Sequence, residues 1–163
     1  MIASIDHIVI NCGDVETTAA WYERALGLAR ETYTSPAGPG VRTALKFGPH
    51  KFNLRQTGDA SWWTCKVDAP GSLDLCFLTQ GSLKPVIERL QRAGIPIVAG
   101  PGPRTGALGL MTSIYCEDPD GNLVEVATYA PTHKVAARQP AVRDAGADGP
   151  ASRLSSNQSR EQA

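Results

Sequence analysis

Ile5-Asp6-His7-Ile8-Val9-Ile10 is the stretch that decides the fold. It reads as a short β-strand with one apolar face, and Asp14 behind it supplies the cap of an amphipathic helix. At an offset of 67 residues the order returns as Leu73-Asp74-Leu75-Cys76-Phe77, followed by Ser82 as a cap and a second helix. A polar, ligand-capable side chain on a buried strand is costly unless something satisfies it. Its presence at the same place in both halves points to a shared site.

Outward from that stretch, Val15, Ala19, Tyr22 and Leu26 recur at helical spacing, and Gly27 supplies the stop. Residues 28–34, 41–47 and 51–56 read as strands, set apart by a Pro/Gly loop at 36–40 and the turn Gly48-Pro49-His50. The second half repeats this order. Residues 73–79 form a strand, and Leu83, Val86, Ile87 and Leu90 make a helical stripe that ends at Ala93-Gly94. Pro85 falls in the first turn, where a missing N–H is harmless. A strand at 95–99, a Gly/Pro-rich loop at 100–109, a strand at 111–116, the turn Asp118-Pro119-Asp120-Gly121 and a last strand at 122–128 follow.

The offset of 67 places His7 on Asp74 and Gly27 on Gly94. After a three-residue insertion the offset becomes 70, which places Pro49 on Pro119 and Arg55 on Glu125. The expected fold is therefore α+β: two tandem βαβββ modules, about 1–58 and 72–130, forming curled mixed sheets around a central cavity. Between them, residues 58–71 are a connector in which Trp62 and Trp63 are expected to cover the core or meet another subunit. From 131 to 163 the chain is rich in Ala, Arg, Gly, Ser and Gln without aromatics, and is expected to be a disordered tail.

Composition narrows the function. The 163 residues carry 16 acidic and 16 basic side chains, for a formal net charge of zero, with 42% hydrophobic residues. Nothing in that balance recommends nucleic acid or an anionic membrane as partner. No apolar run approaches the ~20 residues of a membrane span, and the first residues carry no secretory signal. Cys12, Cys65, Cys76 and Cys116 are widely spaced with no C-x-x-C pair, so reduced thiols and a cytoplasmic location are expected.

Strand alternation sorts the polar residues. Ile8 and Ile10 face the first helix, so His7 looks the other way. The same parity puts Arg55 opposite Phe52 and Leu54, Asp74 opposite Leu73 and Leu75, and Glu125 opposite Val124 and Val126. Ser113 and Tyr115 share a face of the seventh strand. With helices outside, His7, Arg55, Asp74 and Glu125 converge on the concave side. Imidazole and carboxylates are good ligands for a divalent first-row metal. Arginine has no lone pair to give and would pair with the carboxylates or hold an anionic substrate. A strand histidine is also often a satisfied core residue, and the residues alone leave these two alternatives even.

The stretches Asp6-His7-Ile8-Val9-Ile10, Ala19-x-Trp21-Tyr22-x-x-x-Leu26-Gly27-Leu28 and Ser113-Ile114-Tyr115-x-x-Asp118-Pro119-Asp120-Gly121-Asn122-Leu123-Val124-Glu125 resemble the vicinal oxygen chelate family of glyoxalases, extradiol dioxygenases and fosfomycin and bleomycin resistance proteins. The likeness covers about residues 4–129, and Lys51-Phe52-Asn53-Leu54 and Gly100-Pro101-x-Pro103-Arg104-Thr105-Gly106 are similar to its small glyoxalase domain-containing subgroup. The resemblance implies metal ligands on the first, fourth, fifth and eighth strands, here His7, Arg55, Asp74 and Glu125, and a homodimer with sites where modules meet. Arg55 departs from the subgroup, where that position is usually histidine.

We therefore expect His7, Asp74 and Glu125 to hold a divalent metal (Mn, Fe, Co, Ni or Zn). Arg55, Arg104, Thr105 and Ser113 would bind a small, oxygen-rich, anionic substrate, and Glu125 and Tyr115 would act in catalysis of a lyase, isomerase or dioxygenase type. Arg104 and Thr105 are expected on a lid. The competing expectation is a metal-free binding or resistance-type protein in which the Arg55 guanidinium takes the place of the metal.

Overall fold

Helix α1 (Val15–Leu26) follows strand β1 (His7–Cys12), and the first module is completed by β2 (Ala29–Thr34), β3 (Val41–Phe47) and β4 (His50–Gln56). The second module holds β5 (Asp74–Leu78), α2 (Lys84–Arg92), β6 (Ala99–Gly106), β7 (Gly109–Glu117) and β8 (Leu123–Thr128). The computed structural model describes residues 1–36, 38 and 40–129, so the expected tail lies outside the described residues. Each module makes one four-stranded mixed sheet, in the orders β1-β4-β3-β2 and β5-β8-β7-β6. The first and last strands of each module pair in parallel, and the hairpins pair antiparallel. The chain thus has the α+β, tandem βαβββ architecture expected from its repeat.

The helix α1 begins and ends where its sequence says it should. The Asp14 carboxylate accepts the Thr17 N–H at 2.7 Å, satisfying one of the free N–H groups of the first turn. Gly27 takes φ 74° at the C-cap. A side chain there would be strained and would also meet the Arg89 guanidinium at 3.1 Å. Arg89, from α2, donates to the Arg24 and Glu23 carbonyls at 2.9 and 2.8 Å, so one module caps the other's helix. The second helix departs from expectation. Its N-cap is Leu83 rather than Ser82, with no side-chain capping bond.

Ile10, Cys12, Tyr22, Leu45, Phe52 and Leu54 of the first module share one core with Leu75, Leu90, Ile114, Cys116, Val124 and Val126 of the second. Phe47, Phe52 and Phe77 pack edge to face across the boundary between modules, with centroids 4.8 to 5.6 Å apart. Beside this aromatic cluster a groove of about 280 Å³ opens between β1 and β5; both modules line it, and His7, His50, Asp74 and Cys76 stand on its walls.

The turn Asp118-Pro119-Asp120-Gly121-Asn122 is a clasp between modules. Asp118 accepts from the Tyr22 hydroxyl at 3.0 Å, from the Asn122 side-chain amide at 2.8 Å, and from the N–H groups of Asp120 and Asn122. Asp120 accepts from Gly13 N and the Thr18 hydroxyl, both at 2.7 Å, tying the turn to the entry of α1. Asn122 in turn accepts the Leu73 N–H at the start of β5. Gly71, at φ 72°, lets the connector pass so close to the Asp120 carbonyl that no Cβ fits.

One expected loop is a strand, and the strand expected at 95–99 is not one: only Ala99 belongs to β6. Residues 100–106 carry glycine and two prolines, yet they pair with β7, with Gly102 opposite Ser113 and Arg104 opposite Met111. The strand β6 lies at the sheet edge and needs hydrogen bonds on one side only, so proline is tolerated there. A register shift between Ala99 and Gly102 absorbs the irregularity.

Candidate functional site

The helix-free face of each sheet follows from alternation. On the second sheet it presents Asp74, Cys76 and Leu78 from β5, Leu123, Glu125 and Ala127 from β8, Ser113 and Tyr115 from β7, and Arg104 from β6, as the strand pairing dictates. Glu125 stands directly between Cys76 and Tyr115, its neighbours across the two flanking strands. Its side chain is 8% exposed, and Oε1 has no hydrogen-bond partner. The Ser113 hydroxyl is likewise buried and unpartnered. Two buried polar atoms without partners on one face are costly in the free chain. A partner for them, water or ligand, would have to come from outside the chain, and both atoms are sealed from solvent in the free chain.

Arg104 completes this cluster. Its Nε donates to the Tyr115 hydroxyl at 3.0 Å, its guanidinium carbon lies 5.2 Å from the centre of that ring, and Nη1 donates to the Pro103 carbonyl. Arg104 itself is exposed, and it is placed by a paired strand rather than by the loop expected at 100–109. Thr105 is exposed too and, one residue along the strand, belongs to the opposite face. Burial is the main cause that raises the Tyr115 hydroxyl above its ordinary pKa; Arg104 opposes the shift and Glu125 adds to it. Burial, then the charge of Glu125, pushes the Cys76 thiol up to about 11.

A direct check follows from Cys76. Exposed thiols normally alkylate readily, but only the thiolate reacts. Cys76 should react slowly with iodoacetamide at pH 8 despite its exposure. Glu125→Gln removes the negative charge that disfavours the thiolate, so the pKa falls and alkylation speeds up by roughly severalfold. Mass spectrometry of the Cys76 peptide reads the rate; an unchanged rate would mean the two groups do not interact.

The other expected residues stand elsewhere. His7 lies at the start of β1 with its side chain 43% exposed, and its Nδ1 is 2.6 Å from the Asp6 carboxylate. Asp74 is exposed and shares the groove with His7. Arg55 is 3% exposed and points to neither Asp74 nor Glu125. Its Nη1 reaches Asp68 at 2.6 Å and Asn11 at 3.4 Å, and Nη2 donates to the Asp59 carbonyl. It anchors the connector. Among the described residues of the chain, no three His, Cys, Asp or Glu side chains come together as a metal site. Trp63 is 99% exposed, so it does not cover the core.

Strand register also revises which residues correspond. His7 pairs with Lys51 and Val9 with Asn53, whereas Asp74 pairs with Leu123 and Cys76 with Glu125. With His7 matched to Asp74, the counterpart of Glu125 is Asn53, two residues before Arg55. Asn53 is buried, and its amide oxygen accepts from the Tyr33 hydroxyl at 3.0 Å. Cys76, Asn53 and Asp68 are thus the residues of this region that sequence reasoning passed over. The parity of β4 and β5 contained the first two; the third had no local signal.

The family model described as Glyoxalase/Bleomycin resistance protein/Dioxygenase superfamily matches residues 4–126, which span both modules and the clasp between them. The chain belongs to this superfamily. Two similar members are virulence protein STM3117 of Salmonella typhimurium, 42% identical over 129 residues (79% of this chain and 86% of that one), and the glyoxalase domain-containing protein RDO1 of Mycosarcoma maydis, 43% identical over 128 residues (78% and 69%). A solved structure from the mobile metagenome of V. pseudocholerae, VPC_CASS1, is 40% identical with a TM-score of 0.74, covering 80% of this chain and 98% of that one. The family match therefore runs from just before β1 into β8. No helix among the described residues is long and apolar enough to cross a membrane.

Proposed function

We propose that this superfamily member binds a small, anionic, oxygen-bearing molecule on the open face of its second sheet, and acts on it through Glu125. The observation that carries this reading is the pair of buried, unpartnered oxygens, Glu125 Oε1 and Ser113 Oγ, beside the Arg104–Tyr115 pair. Arg104 supplies a guanidinium fork for a carboxylate. Tyr115 accepts from Arg104, and its own proton, which lies towards Glu125, can turn to a ligand oxygen. Glu125 Oε1 accepts a hydroxyl, or a proton next to a carbonyl, and Ser113 holds a second oxygen. Burial around Glu125 strengthens each of these contacts.

Thermal titration with a panel of small 2-oxo and 2-hydroxy carboxylic acids tests this. Some members should raise the melting temperature in a saturable way. Glu125→Gln and Arg104→Gln, folded and otherwise unchanged, should each lose most of the shift. A stabilisation that persists in both variants would place the ligand elsewhere.

A second reading retains His7, Asp74 and Glu125 as ligands of a divalent metal in an enzyme. The chemistry of the donors favours it: Asp6 behind His7 Nδ1 leaves Nε2 available, the arrangement seen for many metal-bound histidines. Among the described residues of one chain these donors do not come together as a metal site. This reading requires a second copy to meet the open faces, where Val9 and Leu78 are left 39% and 60% exposed. About one metal per dimer-forming chain after purification without chelator, lost in His7→Ala, would establish it; a metal-free monomer would end it.

A further inference from the structure

A second cavity, separate from the face described above, opens at the end of the first sheet where β3 begins, β4 ends and the connector folds back. Its volume is about 360 Å³, and its walls include Glu16, Arg42, Arg55, Asp59, Ser61 and Trp62. Two of those residues carry a buried N–H without an acceptor: Arg55 at Nε and Trp62 at Nε1. Arg55 is only 3% exposed, and its other nitrogens are spent on Asp68, Asn11 and the Asp59 carbonyl. Arg42 stands over the Trp62 ring, its guanidinium carbon 4.1 Å from the ring centre. The donors therefore come from three side chains fixed on one wall system.

Two carboxylates, Glu16 and Asp59, also line the cavity, and each has one oxygen bonded within the chain. Glu16 takes Arg30 Nη1 at 2.7 Å, and Asp59 accepts the Ser61 N–H at 2.8 Å. The two buried N–H groups without acceptors, Arg55 Nε and Trp62 Nε1, are what a ligand rich in acceptors would satisfy. A single water, with about 30 Å³ of liquid volume, would fill a small part of this space. A planar guanidinium stacked on an indole is well placed to offer two parallel N–H groups to an oxyanion.

We propose that this cavity is a binding site for a small oxyanion, a carboxylate or phosphate group, held by Arg42, the Trp62 indole N–H and Arg55 Nε. It shares no lining residue with the Glu125 face, so it stands or falls independently of the function proposed above. Arg55 serves both ends of the arrangement: it pins the connector through Asp68 and presents Nε beside the anion.

The test is a titration of the full chain, ¹⁵N-labelled, with sodium phosphate and separately with sodium acetate, ionic strength being held constant with sodium chloride. The chain has three tryptophans, and Trp62→Phe identifies the Trp62 indole signal. That signal should move saturably at millimolar anion while those of Trp21 and Trp63 stay in place. Arg42→Gln should weaken the response roughly tenfold without altering the fold. Saturation by phosphate alone assigns a phosphate group, by acetate alone a carboxylate, and by both a general oxyanion site. A Trp62 signal that stays still, or that chloride moves equally well, overturns the proposal. So does an Arg42→Gln variant that folds and responds like the parent.

Discussion

Asp118→Ala should lower the stability of the domain by about 3–5 kcal/mol, enough to leave much of a marginally stable chain unfolded at 37 °C. The size follows from what the carboxylate holds. Tyr22 OH, Asn122 Nδ2 and two backbone N–H groups all end on Asp118, and Asp118 is 6% exposed. Removing it leaves buried donors with no acceptor and no water. Tyr22 contributes in the other direction: burial first, then Asp118, raises its hydroxyl far above the usual range, so it remains a proton donor at every working pH. Tyr22→Phe removes one donor and keeps the ring in the core, and should cost only about 1 kcal/mol. The two changes share a bond, so the double variant should lose less than the sum. Urea unfolding of the four proteins measures this; additive losses would mean the bond contributes nothing.

The second large effect is at Asp68, and it is asymmetric. Arg55 is almost fully buried and Asp68 is partly exposed, its side chain retaining 28% of its surface. Asp68→Ala takes the counter-charge from a buried guanidinium, which keeps only Asn11 and the Asp59 carbonyl. The loss should show as a clear fall in Tm. Arg55→Met instead frees a carboxylate that can turn to water, and leaves an apolar stem in place, so the loss should be smaller. The double variant Arg55→Met/Asp68→Ala should be more stable than Asp68→Ala alone. A double variant no better than Asp68→Ala would mean that Arg55 is not compensated by this pair.

The same pair gives a pH dependence. Its hydrogen bond with Arg55, the largest cause, holds the Asp68 carboxyl below the ordinary carboxylate range in the folded chain. The folded pKa is depressed relative to the unfolded one, so this contribution is fully present above about pH 4 and is lost as pH falls through the folded value. In Arg55→Met that acid-side dependence should be shallower.

Much of this fold could be read from short-range chemistry. The His7 and Asp74 strands, the Asp14 cap, the Gly27 stop and the Asp118-Pro119-Asp120-Gly121 turn are each local signals, and each element stands where its signal lies. The edge strand β6 escaped because its prolines and glycines carry the signature of a loop; only its position at the edge, a tertiary fact, makes them compatible with pairing. The correspondence of Arg55 with Glu125 failed for a related reason. A sequence offset matches letters through a hairpin, whereas the ladder with β1 fixes the true register, and the β3–β4 and β7–β8 turns differ in length. The partner of Arg55 was out of reach altogether, since Asp68 sits in a connector with no periodicity to orient it.

What the sequence did contain was the cluster of side chains on the open face: Glu125, Tyr115 and Ser113 share parity, and Arg104 is brought to them by β6. Cys76 belongs beside them for the same reason, and its thiol, pushed up to about 11, remains a hydrogen-bond donor rather than a nucleophile near neutral pH.

A spectrum of the chain labelled on its tyrosine and cysteine residues, recorded with and without a stabilising 2-oxo or 2-hydroxy acid, tests that face most directly. The account predicts that Tyr115 and Cys76 shift together while Tyr33, on the other sheet, does not. A bound acid that moves Tyr33 and leaves Tyr115 and Cys76 untouched would contradict it.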